Sequence, residues 1–325
     1  MREYRIAEPR TAAELAALLA ETAEPAALMA GGTDLLDELK SGVAKASLVV
    51  DLRRVEGLAG IAREGGGWRV GAMTRVADLA GHAELAKDHP ALREAALSLA
   101  TPQLRNAGTV GGNLCQRPRC WYYRDPQIVC RKKGGHNCFA FQGRNKYHAL
   151  FGGGSCFIVY PSDLAPALIA LGAKAAIGTV KADRVVPLEA FYALPDADVT
   201  RENVLAKGEF LKSVWLPAPK AGQRSAYVKL KERGTWDFAL VSAAVSAVVE
   251  GGALKDVAVV MGGVAPVPWR LKKAEDALRG QAPTADLARR AADAALADAS
   301  PMRENAYKTD LVRAALERAL GAVTA

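Results

Sequence analysis

Apolar and polar positions alternate along this chain in ways that divide it into recognisable pieces. Residues 10–22 carry alanine and leucine at helical spacing, with Thr11 placed as N-cap and Glu14 three residues on, a capping-box pattern. The apolar run Ala26–Ala30 then enters Gly31-Gly32-Thr33-Asp34, and Leu35 to Lys40 resumes a helical pattern, so this stretch predicts a βα unit. Ser47–Leu52 and Trp68–Ala72 are further strand candidates, the second following the Gly65-Gly66-Gly67 turn. Leu92–Ala100 predicts a helix that stops at Thr101-Pro102 and leads to a second glycine-rich turn, Arg105 to Asn113. Ala165–Gly172 is a predicted helix, with strands near Ala175–Ile177 and Val185–Pro187. After Pro217-Ala218-Pro219, which marks a boundary, strands are expected over Ser225–Lys231, Ser242–Glu250 and Leu254–Met261, and helices after Thr284 and Thr309. The expected organisation is a small α/β lobe (1–58), a second lobe (59–217) and an α+β C-terminal domain (218–325).

Composition narrows the class. With 325 residues, 50% hydrophobic and 24% charged, the chain is of ordinary globular composition and long enough for two or three domains. No stretch approaches the roughly 20 apolar residues of a membrane span. The start, Met1-Arg-Glu-Tyr-Arg, lacks the apolar core of a secretory signal, so export by a signal of its own is not expected. The net charge of +8 comes from basic residues scattered among acids. The densest cluster, Arg131-Lys132-Lys133, sits beside cysteines, no basic stripe interleaved with stacking aromatics occurs elsewhere, and a solvated surface is expected rather than a nucleic-acid interface.

Cysteine changes the picture. All five lie between Cys115 and Cys156, spaced C-x4-C-x9-C-x7-C-x17-C, within more than 40 turn-rich residues that are too long for an ordinary connection. Core cysteines would be scattered, and disulfides need an oxidising compartment. A thiolate-ligated metal centre explains the clustering, with iron–sulfur and zinc both open; only Cys115 and Cys120 come near zinc spacing.

Glycine pairs allow close backbone approach to a diphosphate with amides aimed at the anion. Neither turn has G-x-G-x-x-G or G-x4-G-K-[ST] spacing. Together, however, Ala30-Gly31-Gly32-Thr33-Asp34-Leu35 and Gln103-Leu104-Arg105-Asn106 running into Thr109-Val110-Gly111-Gly112-Asn113-Leu114 resemble the two FAD-binding signatures of the xanthine dehydrogenase (molybdenum hydroxylase) family. Pro161-Ser162-Asp163-Leu164 resembles the family's next block, Lys229 its later FAD-contact lysine, and Gly262-Gly263-Val264-Ala265-Pro266 its C-terminal pattern. The resemblance spans essentially the whole chain and implies a two-lobed, vanillyl-alcohol-oxidase-type FAD-binding domain followed by an α+β domain of the CO dehydrogenase flavoprotein type. By the same resemblance the FAD contacts are Met29, Ala30, Gly31, Gly32, Thr33, Asp34, Leu35, Thr109, Gly111, Gly112, Asn113, Asp163 and Lys229.

The cysteine insertion is similar to that of the family branch whose flavin subunits hold an extra [4Fe-4S] cluster, the aldehyde oxidoreductase and 4-hydroxybenzoyl-CoA reductase types. That pattern implies Cys120, Cys130, Cys138 and Cys156 as ligands and leaves Cys115 spare. It also implies a heterotrimer, with the molybdenum cofactor on a large partner and two [2Fe-2S] clusters on a small one. The compartment is then cytoplasmic, or periplasmic where a signal-bearing partner co-exports the complex. His136 and His148 flank the insertion and are expected as surface residues or as hydrogen-bond donors to a cluster sulfur; His82 and His89 need no role. Asp34 is expected either to bond a ribose or a diphosphate-bound water or to cap the following helix. No nucleophile–base arrangement or substrate acid/base pair is evident. A stand-alone flavoenzyme and a zinc-stapled interaction module remain the alternative readings.

Overall fold

The computed structural model describes residues 3–324; Met1 and Arg2, with which the charged N-terminal stretch begins, and Ala325 lie outside the described residues. Three sheets follow one another along the chain. The first is parallel, in the order β1-β3-β2, from β1 (Arg5–Ala7), β2 (Ala26–Met29) and β3 (Leu48–Asp51). Its crossover helix Ala12–Glu21 begins at Thr11, whose side chain accepts from the Glu14 amide, while Glu14 accepts from the Arg10 amide. Leu15, Ala16 and Leu19 from that helix close over Leu48 and Val50. The four residues of β3, Leu-Val-Val-Asp, are all buried, as a central parallel strand requires.

The second sheet is antiparallel, ordered β4-β5-β8-β6-β7, from β4 (Ile61–Glu64), β5 (Gly67–Gly71), β6 (Lys174–Gly178), β7 (Arg184–Pro187) and β8 (Phe210–Pro217). Its central strand, β8, was not expected from the sequence. Its apolar residues run into Pro217, and that proline marks the end of a strand instead of standing outside one. Short helices Val76–Gly81 and Ala83–Asp88, also unexpected, pack with helices Pro90–Ser98 and Leu164–Ala170 on this lobe's core.

The third sheet, β12-β11-β10-β9, is antiparallel: β9 (Gln223–Leu230), β10 (Val241–Glu250), β11 (Ala253–Gly262) and β12 (Trp269–Arg270). Alternation decides its two faces. Val241, Ala243, Val245 and Ala247 of β10 join the core with helices Lys272–Leu278, Ala285–Leu296 and Lys308–Thr324. Ala244 of β10 and Val260 of β11 instead join the core of the second lobe. Burial on both faces is why β10 reads as a continuous apolar and small-residue run. The whole mixes helices and sheets as the expected α+β class does, two sheet-and-helix lobes followed by an α+β domain. No helix among the described residues is long and apolar enough to cross a membrane.

Candidate functional site

The two glycine turns face each other across a cleft of about 1060 Å³. Ala30, Gly31, Gly32, Thr33, Asp34 and Leu35 line one side, and Thr109, Gly112, Asn113 and Asp163 line the other. Met29, Gly111 and Lys229 lie outside the lining. Met29 ends β2. Lys229 reaches the cleft only through Asp163, which it meets at 2.8 Å.

The first turn needs both of its glycines. Gly32 sits at φ 73°, in the left-handed region, and a Cβ on Gly31 would overlap the Ala107 carbonyl oxygen. The turns therefore touch backbone to backbone at one end of the cleft.

The second turn is not the loop that the sequence predicts: Pro102–Ala107 and Val110–Leu114 are short helices, capped by Thr101 and Thr109. Its amides do not point at a ligand. Gly111 N donates to Ala72 O (2.7 Å), Gly112 N to Thr109 Oγ1 (3.0 Å) and Asn113 N to Thr109 O (2.9 Å). Gly111 serves close packing, since a Cβ there would lie 2.8 Å from the Ala72 methyl carbon and 2.9 Å from its carbonyl oxygen. The Pro161 block fastens this wall: Ser162 Oγ donates to Asn113 Oδ1 (2.6 Å), and Tyr160 Oη donates to Leu114 O (2.6 Å).

Each wall carries one aspartate, and their surroundings differ. Asp163 is buried and held by Lys229 and by Tyr227 Oη (2.8 Å); burial nonetheless pushes its carboxyl pKa up, outweighing Lys229 and Tyr227. Asp34 neither caps its helix nor points free into the cleft. Its carboxylate accepts from the Arg117 amide (2.8 Å), from Arg119 Nη1 and from Arg124 Nη2 (2.7 Å). Burial would raise its pKa, but the Arg119 and Arg124 charges and the Arg117 amide bring it below the usual carboxylate value. One turn on, in the helix that Asp34 precedes, buried Glu38 accepts from Tyr123 Oη (2.8 Å). These contacts were not legible in the sequence, because Asp34 and its arginines are more than 80 residues apart and only the fold adjoins them.

On the cleft lining two non-glycine residues adopt left-handed backbone, Ala100 (φ 45°) and Trp236 (φ 54°), with the Trp236 amide donating to Ala100 O (3.4 Å). Both line the cleft, as does Phe238, over which Arg119 stacks at 5.1 Å. Strained backbone of this kind is retained where surrounding structure over-determines it, often beside ligands.

The cysteine insertion is mostly turn and irregular structure, with one helical turn at Trp121–Arg124 and a 3₁₀ turn at Arg131–Lys133. Cys120, Cys130, Cys138 and Cys156 line one small cavity, and His148 and Lys132 join them there. Cys115 stands apart on the main cleft, its thiol pushed up to about 12 by burial. The four are not equivalent. The hydrogen bond from Cys156 holds the Cys138 thiol down at about 6 and Cys156 well above its usual value, while burial pushes Cys120 up to about 11. No three His, Cys, Asp or Glu side chains among the described residues are gathered as ligands of a single metal ion. A single zinc ion would need its sulfurs at about 2.3 Å from one point. As donors, four thiols around one cavity suit a thiolate-ligated cluster rather than a hard cation.

His148 is not a surface residue. It is buried, its Nε2 is 3.3 Å from Cys120 Sγ, and burial together with the Lys308 charge brings its pKa down to about 4. Asn305 Nδ2 and Lys308 Nζ both donate to the His148 carbonyl (3.1 Å each), so the C-terminal domain holds this segment. His136 is exposed, and His89, contrary to its polar neighbours in sequence, is buried. Nor is the basic run a solvated face. Lys132 is buried on Glu202 (2.5 Å), which also pairs with Arg117 (3.0 Å). A third cavity, of about 340 Å³, shares Cys120 and His148 with the cysteine cavity and Asp163, Arg119 and Phe238 with the main cleft.

Known proteins match this chain over nearly its whole length. Residues 2–219 match the family "FAD binding domain in molybdopterin dehydrogenase", and residues 225–323 match "CO dehydrogenase flavoprotein C-terminal domain". The aldehyde oxidoreductase FAD-binding subunit PaoB of Escherichia coli (strain K12) is 36% identical over 98% of both chains. The carbon monoxide dehydrogenase medium chain of Hydrogenophaga pseudoflava is 30% identical over 98% of this chain and 96% of its own. The solved structure of carbon monoxide dehydrogenase from Hydrogenophaga pseudoflava includes a chain that superposes with a TM-score of 0.79 at 29% identity, covering 99% of this chain and 97% of that one. This chain belongs to the FAD-binding subunits of the xanthine dehydrogenase, or molybdenum hydroxylase, family, whose members serve molybdenum-dependent oxidoreductases.

Proposed function

We propose that this chain is the electron-transfer subunit of a heterotrimeric molybdenum hydroxylase of the aldehyde oxidoreductase kind, holding FAD in the main cleft and a [4Fe-4S] cluster on Cys120, Cys130, Cys138 and Cys156. The observation that carries the cluster is the convergence of these four thiols, from segments spread over 37 residues, on one cavity that excludes Cys115. The third cavity, which touches both sites, supports their working together. When bound, FAD supplies conversion between two-electron and one-electron transfer, and a [4Fe-4S] cluster supplies a one-electron centre.

The chain's own residues bind and orient. Gly31 and Gly32 bring backbone to the cleft lining, the Asp163–Lys229–Tyr227 group presents a buried polar wall, and Trp236 and Phe238 add aromatic lining. His148 stands within hydrogen-bond reach of Cys120 Sγ, where an N–H donor tunes a ligating sulfur. Nothing in the cleft offers a nucleophile–base pair for substrate, so the substrate site is assigned to a large, molybdenum-bearing partner, and electrons pass between a [2Fe-2S] partner and an external acceptor or donor. Assembly is assigned to the cytoplasm, with export only alongside a signal-bearing partner.

The test is anaerobic isolation of the full chain with flavin and iron assayed together. About one FAD and about four irons per chain are expected. Cys138→Ser should lose iron and keep flavin. Flavin without iron in the wild-type chain refutes the cluster, and turnover of a nicotinamide or alcohol by the isolated chain refutes the relay.

A further inference from the structure

The flavin turn and the cysteine insertion meet in one place, and the contact is built from charged side chains. Asp34, next to Gly31-Gly32, receives an amide and two guanidinium groups from Arg117, Arg119 and Arg124, all within eight residues of one another in the insertion. Its side chain is 16% exposed, and those of Arg119 and Arg124 are 29% and 14% exposed, so the pairs are well shielded. Arg124 also meets Glu38 (3.7 Å), and Tyr123 donates to the same carboxylate, so the helix after the turn is gripped twice. Arg117 and Arg119 line the main cleft, and Cys120 follows Arg119 directly.

We propose that Asp34 is a positioning residue that latches the insertion onto the flavin turn, so that FAD binding and the order of residues 117–124 form one coupled equilibrium. Three donors from one short segment on one carboxylate give the turn its geometry from outside its own sheet. If the segment is displaced, Asp34 is left part-buried without partners, and the turn must shift to hydrate it. Coupling of this kind is reciprocal: whatever the segment contributes to flavin affinity, bound flavin returns as order in the segment. The proposal rests on FAD occupying the main cleft and does not depend on iron in the insertion.

The experiment measures the FAD dissociation constant of flavin-depleted full chain by fluorescence quenching, for wild type, Asp34→Asn, Arg124→Gln and the double variant. Each single substitution is expected to weaken FAD about tenfold, and the double variant is expected to bind no more weakly than the worse single. Unchanged affinity in the singles, or losses that simply add in the double variant, overturns the latch. Trypsin supplies a second readout on the wild-type chain that needs no variant to fold. Saturating FAD should slow cleavage after Arg119 and Arg124, and cleavage unaffected by FAD overturns the proposal. Asp34→Asn should lose that protection, which a residue acting only on general stability would not do. Iron is assayed on the same samples: iron-free chain that keeps the coupling supports the latch while refuting the cluster.

Discussion

The two walls of the main cleft carry the same sequence ingredients, a glycine pair and an aspartate, and use them in opposite ways. In the first wall Gly31 and Gly32 shape a turn that brings backbone to the cleft, and its aspartate, Asp34, is satisfied by cations from a distant insertion. In the second wall Gly111 and Gly112 sit in a short helix with their amides already donated, and Asp163 is buried on one lysine and one tyrosine. The first carboxylate is held charged by its surroundings, and the second is pushed toward neutrality by burial. A glycine pair thus marks close approach of the chain to itself, Gly31 to the Ala107 carbonyl and Gly111 to Ala72, but only the first pair borders the cleft with both residues.

The largest effect should come from breaking the second wall's ion pair. Both side chains of Asp163 and Lys229 are almost fully buried, so Lys229→Ala leaves a carboxylate without its cation. The expected loss is about 3–5 kcal/mol, read from urea unfolding of the full chain. Asp163→Asn combined with Lys229→Ala should cost less than the two single losses added, because the pair shares one penalty. Additive losses would show that the two residues act independently.

Next is Gly31→Ala, where the new Cβ would overlap the Ala107 carbonyl oxygen and force the walls apart. A loss of about 3 kcal/mol and of flavin retention together is expected. Gly111→Ala meets only the Ala72 backbone and methyl at 2.8–2.9 Å, and should cost about 1–2 kcal/mol while flavin affinity falls far less. The contrast between these two variants, measured by flavin titration and urea unfolding side by side, separates a glycine that lines the cleft from one that lies behind it. Equal flavin losses would erase the distinction.

Much of this was legible before any coordinates. Thr11 and Glu14 announce their capping box, the β2 run announces its glycine turn, and β9, β10 and β11 announce themselves by apolar runs. The clustering of the cysteines pointed to one site, and four of them line one cavity. What stayed hidden were relations between distant residues. Asp34 with Arg124, Glu202 with Lys132 and Lys308 with the His148 carbonyl each join segments 70 to 160 residues apart, and no local pattern encodes such a meeting. Short helices also escaped: Val76–Gly81 and Ala83–Asp88 run six residues each, too few turns for a helical period to show. The Arg131–Lys133 run misled because charge in a sequence suggests water, whereas Lys132 is buried on its own carboxylate.

The smallest expected effect is the sharpest test of the comparison, because the two aspartates should respond to acid with opposite sign. Asp34 has a folded pKa below the ordinary 3.8, since its arginines outweigh burial. It therefore contributes stability that is fully present above pH 3.8 and is lost as pH falls through its folded value. Asp163 has a folded pKa above 3.8, because burial outweighs Lys229 and Tyr227. Its contribution runs the other way: a penalty absent at low pH appears as pH rises from 3.8 to its folded value. Urea midpoints of wild type, Asp34→Asn and Asp163→Asn, taken from about pH 3 to about pH 7, give each carboxyl's contribution by difference. The Asp34→Asn difference from wild type should shrink as pH falls below 3.8. The Asp163→Asn variant should lack the penalty that wild type acquires above it. Parallel curves for the two variants would mean that both aspartates sit in one kind of electrostatic environment, and the opposition between the walls would fall.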